Sequence, residues 1–515
     1  MTLLTATHLE HLMAEFGRSM RRLLRALCRD LERNYAEPVE QLALPIDWFR
    51  LIERELEPAA YHHWRVVGWI EALNDLLYFV DLSVQVRKER QRGDLARQLL
   101  AEFKEVFYEH GYADEVFPTG QPEPQRLLSR IEALCRRLAR EVTQESLGFA
   151  PRKACAWVAK QRTGVWLIPC DLSADFERVQ EAGSFAVGLT GEWYEAPGSV
   201  RAALARVGRQ GSYRVTGDGI DLVLDETRVP LVEYKPAERW HWQRQEPVIL
   251  RETASGPLLL GSTLLYGKDK TPIAVWPTAP DVAIRMKRAL SVIAAAWPEG
   301  DRLLALFTSR ISPLKAKGVV SFSYRHRPGL SVINCFDRDQ LDLIDDLIHE
   351  NSHHHLNLLL RKELLYRHDR NQEVFYSPWR RSLRPVRGIL HATFTFTMGA
   401  LLFERLVRWG SGRAGAGRWR KAGLTARDLQ RARYRCLEEI DSVQYSLQDL
   451  DLAGSRLKWL TRAGQRLVKQ LADALAGIEG PMTAQEPLVS RSAFGPALRR
   501  HRAELARAGE TYRLG

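Results

Sequence analysis

Cysteine is scarce in this chain: six in 515 residues, at Cys28, Cys135, Cys155, Cys170, Cys335 and Cys436. None forms a C-x-x-C pair, which argues against a disulfide framework and against a thiolate zinc site. No uninterrupted apolar run reaches the roughly 20 residues that a bilayer span needs. Between Met1 and Glu15 stand His8, Glu10 and His11, where an export signal would have a basic start and an apolar stretch. Internal repeats and low-complexity tracts are also missing. Together these absences describe a reduced, cytoplasmic, globular protein with no membrane partner. Its hydrophobic content of 45% and charged content of 27% are ordinary for such a chain.

What is abundant is positive charge, +12 in net terms. The basic residues, mostly Arg, are interspersed with acids, as in Arg87-Lys88-Glu89-Arg90 and Arg361-Lys362-Glu363. No nucleic-acid-binding motif accompanies them, so they read as a solvated basic face. An acidic peptide partner suits that face; nucleic acid is not the expected partner.

Hydrophobic periodicity divides the chain into three. Residues 1–148 read as helical: Leu23, Leu24, Leu27 and Leu31, then Trp69, Ile70, Leu73, Leu76 and Leu77, recur at helical spacing. A further helix is expected through Leu127, Ile131, Leu134 and Leu138, after Pro122-Glu123-Pro124. Residues 149–277 are β-rich, with short runs such as Gly164–Ile168 and Ile220–Leu224 and a hairpin turn at Thr216-Gly217-Asp218-Gly219. Residues 278–515 return to helix: Val282 to Trp297, Asp339 to about Leu365, about Val386 to Val407, and more beyond Thr425. A β-hairpin is expected between the first two, Gly318–Tyr324 against Leu330–Ile333 around Arg327-Pro328-Gly329. The fold class is therefore mainly α with a smaller β-rich segment (α+β), and the chemistry sits in the helical C-terminal domain.

That chemistry begins with His349-Glu350-Asn351-Ser352-His353. Histidines four apart on a helix lie one above the other on one face, so both imidazoles can meet a single ion. Glu350 projects about 100° away, which suits it to orienting a ligand or acting on a bound water rather than binding the metal. With 14 histidines and 63 acids in 515 residues, chance supplies this pattern about 0.05 times. Leu341, Ile344, Leu347 and Ile348 supply an apolar stripe that would bury the helix. His354 and His355 point to other faces and are expected as supporting or surface residues.

The motif alone suggests a zinc peptidase in which Glu350 is the general base. Such an enzyme needs a third ligand. Leu356 and Leu359 occupy the Gly and third-His positions of the extended H-E-x-x-H-x-x-G-x-x-H pattern, and Glu363, Glu373 and Glu404 are the acidic candidates.

A longer set of motifs covers about residues 290–410. In order, it comprises Trp297-Pro298-Glu299, Ser321-x-Ser323, Leu347-Ile348-His349-Glu350-x-x-His353, Leu356-Asn357, Tyr376-Ser377-Pro378-Trp379-Arg380, Arg384-Pro385 and Gly388-Ile389-Leu390-His391. This set resembles the HExxH-motif peptide-modification family found with ribosomally synthesised natural-product peptides, whose members act as iron- and 2-oxoglutarate-dependent peptide β-hydroxylases. The chain departs from the family at Ser382 and Leu383, where Asp and Pro are usual, and at Ser352, where Gln is usual. Residues 1–280 have no counterpart in it.

The resemblance implies that His391 is the third metal ligand after His349 and His353. Fe(II) is then the metal, with Zn2+ as the alternative, and 2-oxoglutarate is the co-substrate. A three-ligand facial site leaves positions for 2-oxoglutarate and dioxygen. The far carboxylate of 2-oxoglutarate calls for a guanidinium: Arg384 first, then Arg380 and Arg387. The expectation is an oxygenase acting on a peptide or protein side chain. A zinc peptidase is the alternative, and a non-catalytic peptide-binding protein is the third reading.

Overall fold

In a computed structural model, the residues described are 4–88 apart from 42–45 and 57, short helical and strand segments between 129 and 273, and 280–513 apart from 326 and 368–371. The expected helix through Leu127 to Leu138 lies outside the described residues, as does the side chain of Cys135. The architecture is mainly helical with a smaller sheet component, and the C-terminal region is helical.

The chain forms two compact units. One comprises residues 17–246 and 262–275. Its helix Trp64–Lys88 is apolar on nearly every side and buries Trp69, Ile70, Leu73, Leu76 and Phe79, as a core helix does. Strands Val165–Asp171, Gln210–Thr216, Gly219–Leu224, Thr227–Lys235 and Arg239–Trp242 follow one another across an antiparallel sheet. The expected hairpin turn is present: the Thr216 hydroxyl accepts from the backbone N–H groups of Asp218 and Gly219, at 3.3 and 3.2 Å.

The other unit comprises residues 1–16, 247–261 and 276–515. Two segments that periodicity assigned elsewhere, the start of helix Ala6–Asn34 and the hairpin around residue 255, thus belong with the unit that carries His349 and His353. Its strands are β1 (Val248–Thr253) and β2 (Gly256–Leu260), followed by helices α1 (Pro280–Ala296) and α2 (Pro298–Phe307). Next come β3 (Arg310–Leu314), β4 (Phe322–Ser323), β5 (Leu330–Asn334) and α3 (Gln340–Lys362). The strand order is β4-β5-β3-β2-β1: β3 runs parallel to β5 and β2, and both edge strands are antiparallel to their neighbours. The hairpin expected over 318–333 is real but shorter, because only Phe322 and Ser323 pair with β5.

Trp297-Pro298-Glu299 is structural. Trp297 precedes α2 with Pro298 in its first turn, where proline's missing N–H costs nothing. A Cβ at Gly300 would lie 2.2 Å from the Trp297 ring, so only glycine fits beneath the indole. Glu299 accepts from the Ala6 backbone N–H at 2.7 Å.

Helix α3 starts with a capping box: the Asp339 carboxylate accepts from Leu341 and Asp342 N–H, and Asp342 accepts from Asp339 N–H. Its apolar stripe is buried, with Leu341, Ile344, Leu347 and Ile348 at 2% exposure or less. A short hairpin, β6 (Phe375–Ser377) and β7 (Ser382–Arg384), leads into α4 (Val386–Gly410). Helix α4 holds no uninterrupted apolar run of the length a bilayer span needs; by length and composition alone it could cross a membrane, but 67% of its most apolar window is buried in the protein, as a core helix is. Thr393, Thr395 and Thr397 donate back to backbone carbonyls one turn earlier, so its hydroxyls are satisfied within the core. Helices α5 (Gly412–Lys421), α6 (Ala426–Ser455), α7 (Arg462–Thr483), α8 (Glu486–Ser490) and α9 (Gly495–Tyr512) complete the unit, with α6 packed along α4.

Candidate metal centre

Successive faces of α3 meet different neighbours. Asp346 and Glu350 face β4: the Ser321 hydroxyl donates to Asp346 at 2.7 Å, and Ser323 lies beside Glu350. His349 and His353 face α4, their ring centres 5.0 Å apart and nearly perpendicular. His354 bonds Ser331 of β5 at 3.1 Å, and His355 lies between Phe307 and Phe394. His354 and His355 are fully buried, so neither is a surface residue.

Nitrogens of His349 and His353 and a carboxylate oxygen of Glu350 all lie within 4.8 Å of one another. Glu350 is therefore nearer the pair than its 100° offset implied. Its Oε2 is buried without a hydrogen-bond partner, an arrangement that ordinarily costs about 1–3 kcal/mol. Burial, with Asp346 one turn earlier adding like charge, pushes its pKa up to about 8; Ser323 opposes the shift.

Both motif histidines are held neutral, the state a metal requires. Burial lowers the pKa of His349, with Asp345 opposing and Arg435 and Arg380 assisting. His353 falls well below the usual range through burial and the neighbouring His349, His391, His354 and Arg380. An orphaned carboxylate oxygen beside two neutral imidazoles is a donor set that fits a divalent metal.

His391 stands on α4 with its ring centre 6.3 Å from that of His353. Two imidazoles sharing an ion at about 2.1 Å in a facial or tetrahedral site have ring centres about 4.6–5.3 Å apart. The spacing of 6.3 Å exceeds that range by about 1 Å, so a shared ion would have to draw His391 inward. The acids considered as peptidase ligands stand elsewhere. Glu363 pairs with Arg466 at 3.0 Å, and Glu373 is exposed. Glu404 lies thirteen residues beyond His391, about 20 Å of helix, and pairs with Arg405.

Of the three arginines, Arg380 is the one whose charge acts on both His349 and His353. It is exposed and sits on the turn between β6 and β7, next to Arg381, whose φ is 52°. Arg384 is exposed and lies along the first turn of α4, its Nε 3.5 Å from where a Cβ on Gly388 would sit. Arg387 is half-buried on that turn.

Sequence reasoning missed the buttress behind His349. Phe396 meets the imidazole edge-on at 5.0 Å and stacks on Trp379 at 4.4 Å. The Trp379 indole N–H donates to Glu439 at 2.8 Å, and Arg435 donates to the other Glu439 oxygen at 2.8 Å. Arg435 also reaches Asp345 at 3.4 Å, whose charge acts on His349. Burial pushes Glu439 up to about 8, and Arg435 is shared with Asp345 and Glu438 as well. The signal available in sequence was Arg435-x-x-x-Glu439, an i, i+4 charged pair with nothing to mark it among many.

No protein-family model matches the chain, and no curated protein is significantly similar to it.

Proposed function

We propose that the chain is an Fe(II)- and 2-oxoglutarate-dependent oxygenase that hydroxylates a side chain of a peptide or protein at its β-carbon, in the maturation of natural-product peptides. The observation that carries this reading is the gathering of His349, His353 and His391 from two helices, with an arginine charge acting on both motif histidines. The ordered motifs from Trp297 to His391 support it through their resemblance to the HExxH peptide β-hydroxylases. When bound, Fe(II) with 2-oxoglutarate and dioxygen supplies an oxidant able to remove hydrogen from a C–H bond, and the co-substrate leaves as succinate and carbon dioxide. His349 and His353 would hold the ion as neutral donors, and His391 would complete the set. Arg380 takes precedence over Arg384 and Arg387 as the partner of the far carboxylate. Phe396, stacked on Trp379, holds the His349 ring in place. The described cysteines, Cys28, Cys155, Cys335 and Cys436, are free thiols, in keeping with the cytoplasm to which we assign the protein.

The test is succinate formation from 2-oxoglutarate by the Fe(II)-loaded protein with a candidate precursor peptide. Absence of succinate across precursor peptides, together with peptide cleavage by the zinc form, would overturn this reading. The zinc peptidase is the second reading, favoured by one observation: Glu350 lies beside the pair with its pKa near 8, suited to taking a proton from water. Glu350→Gln separates the two. It abolishes peptide cleavage, whereas an oxygenase keeps reduced succinate formation, lower by about 10–100-fold. Turnover with neither metal would leave a peptide-binding protein.

A further inference from the structure

Among the described residues, the sheet of the unit carrying His349 and His353 ends at β4, which is paired on one side only. The chain leading into β4 is exposed from Lys317 to Val320, and Val319 and Val320 are 40% and 60% exposed. This apolar pair is fixed in place. The buried Asn334 side chain donates to the carbonyls of Ala316 and Val319 and accepts from Ala316 N–H, and Asn334 N–H donates to the Ser321 hydroxyl. An exposed sheet edge carrying apolar side chains is a template for another strand.

Charge selects the occupant. Lys315 and Lys317 flank the valines on one side and Arg325 stands just past the strand; all three are exposed, and none has an acidic partner among the described residues. A second copy would bring the same cations to the same edge, in a chain already at +12, and like charges across an interface oppose pairing. Acidic residues on either side of a short apolar stretch match this edge.

Ser321 and Ser323 face α3, toward Asp346 and Glu350, while Phe322 and Tyr324 touch each other on the opposite face. Side chains alternate along a strand and keep that alternation across neighbouring strands. We propose that the substrate peptide binds as an added strand along residues 319–324, its acidic flanks on Lys315, Lys317 and Arg325. Every second side chain then points to the Glu350 side of the sheet. The residue opposite Ser323, about 5 Å outward, is the one presented to the metal centre. This rests on the proposed function in taking His349 and His353 as the reacting centre.

The probe is a fluorescein-labelled peptide with two glutamates at each end and a centre of alternating valine and threonine, titrated by anisotropy against the EDTA-treated full chain at low salt. Binding is expected to weaken about tenfold in Lys315→Glu/Lys317→Glu and about tenfold in Val320→Glu. A probe N-methylated at alternate backbone nitrogens should bind at least about tenfold more weakly, since a strand is held by its ladder. Undiminished binding by the N-methylated probe, wild-type affinity in both variants, or no binding below about 100 μM would overturn the proposal. Because docking is read without metal, it separates from the chemistry. Docking without succinate formation removes the oxygenase and leaves the edge site. Succinate formation with an unchanged peptide KM in both variants removes the edge site and leaves the oxygenase.

Discussion

Replacing Glu350 with glutamine should remove the pH trend that this residue imposes on the metal-free protein. In the folded chain its pKa is raised from 4.5 to about 8, chiefly by burial. The folded state therefore holds a proton that the unfolded state has released across that window. With fewer protons bound in the unfolded state, stability falls as pH rises from about 4.5 to 8. At about 1.4 kcal/mol per pH unit, the full loss at pH 8 is about 5 kcal/mol. Glutamine keeps the shape and cannot ionise, so Glu350→Gln escapes this loss. The assay is urea unfolding of EDTA-treated wild type and variant at several pH values, followed by circular dichroism. Asp346 and Glu439 are also raised, and His353 and His354 lowered, but these act in both proteins and largely cancel in the difference. The variant should gain on wild type steadily from pH 5 to 8 and level off above. A pH-independent difference would refute the reasoning. So would one that shrinks with pH, because Glu350 would then be ionised in the native state.

Further outcomes concern the metal and its surroundings. The anaerobically prepared protein should bind one Fe(II) per chain, and His349→Ala/His353→Ala should abolish binding as measured by elemental analysis. His391→Ala should weaken Fe(II) affinity by about tenfold or more while leaving circular dichroism unchanged. Arg380→Ala should raise the KM for 2-oxoglutarate more than Arg384→Ala does, read by initial rates of succinate formation. Trp379→Phe keeps the stack on Phe396 but leaves a Glu439 oxygen without its donor, and should cost about 1–3 kcal/mol in urea unfolding.

The histidine pair was legible because it depends only on local geometry: i, i+4 on a helix whose apolar stripe is local too. Helices α3 and α4 and the turn at Thr216 were legible for the same reason. What escaped were features set by tertiary neighbours. Glu350's approach to the histidines is set by the folded neighbours around it, Ser323 among them. The nearness of Arg380, rather than Arg384, depends on the turn between β6 and β7. The buttress through Phe396, Trp379, Glu439 and Arg435 joins residues from three stretches of chain that no periodicity connects. Hairpin 248–260 reads as part of the β-rich section because hydrophobic alternation reports strand, not the sheet a strand joins.

The packing of α3 on all sides bears on how this segment can vary. The two positions inside the motif that look free, Asn351 and Ser352, are not: Asn351 accepts from Thr308 at 2.8 Å, and Ser352 donates to the Ile348 carbonyl. From Leu356 to Leu359 every residue is buried, and Asp345 and Asp346 are tied to Arg435 and Arg338. A substitution intended to adjust the chemistry here also perturbs the core. New specificity can therefore be acquired at lower risk on the loops and strand edge around the helix than within it.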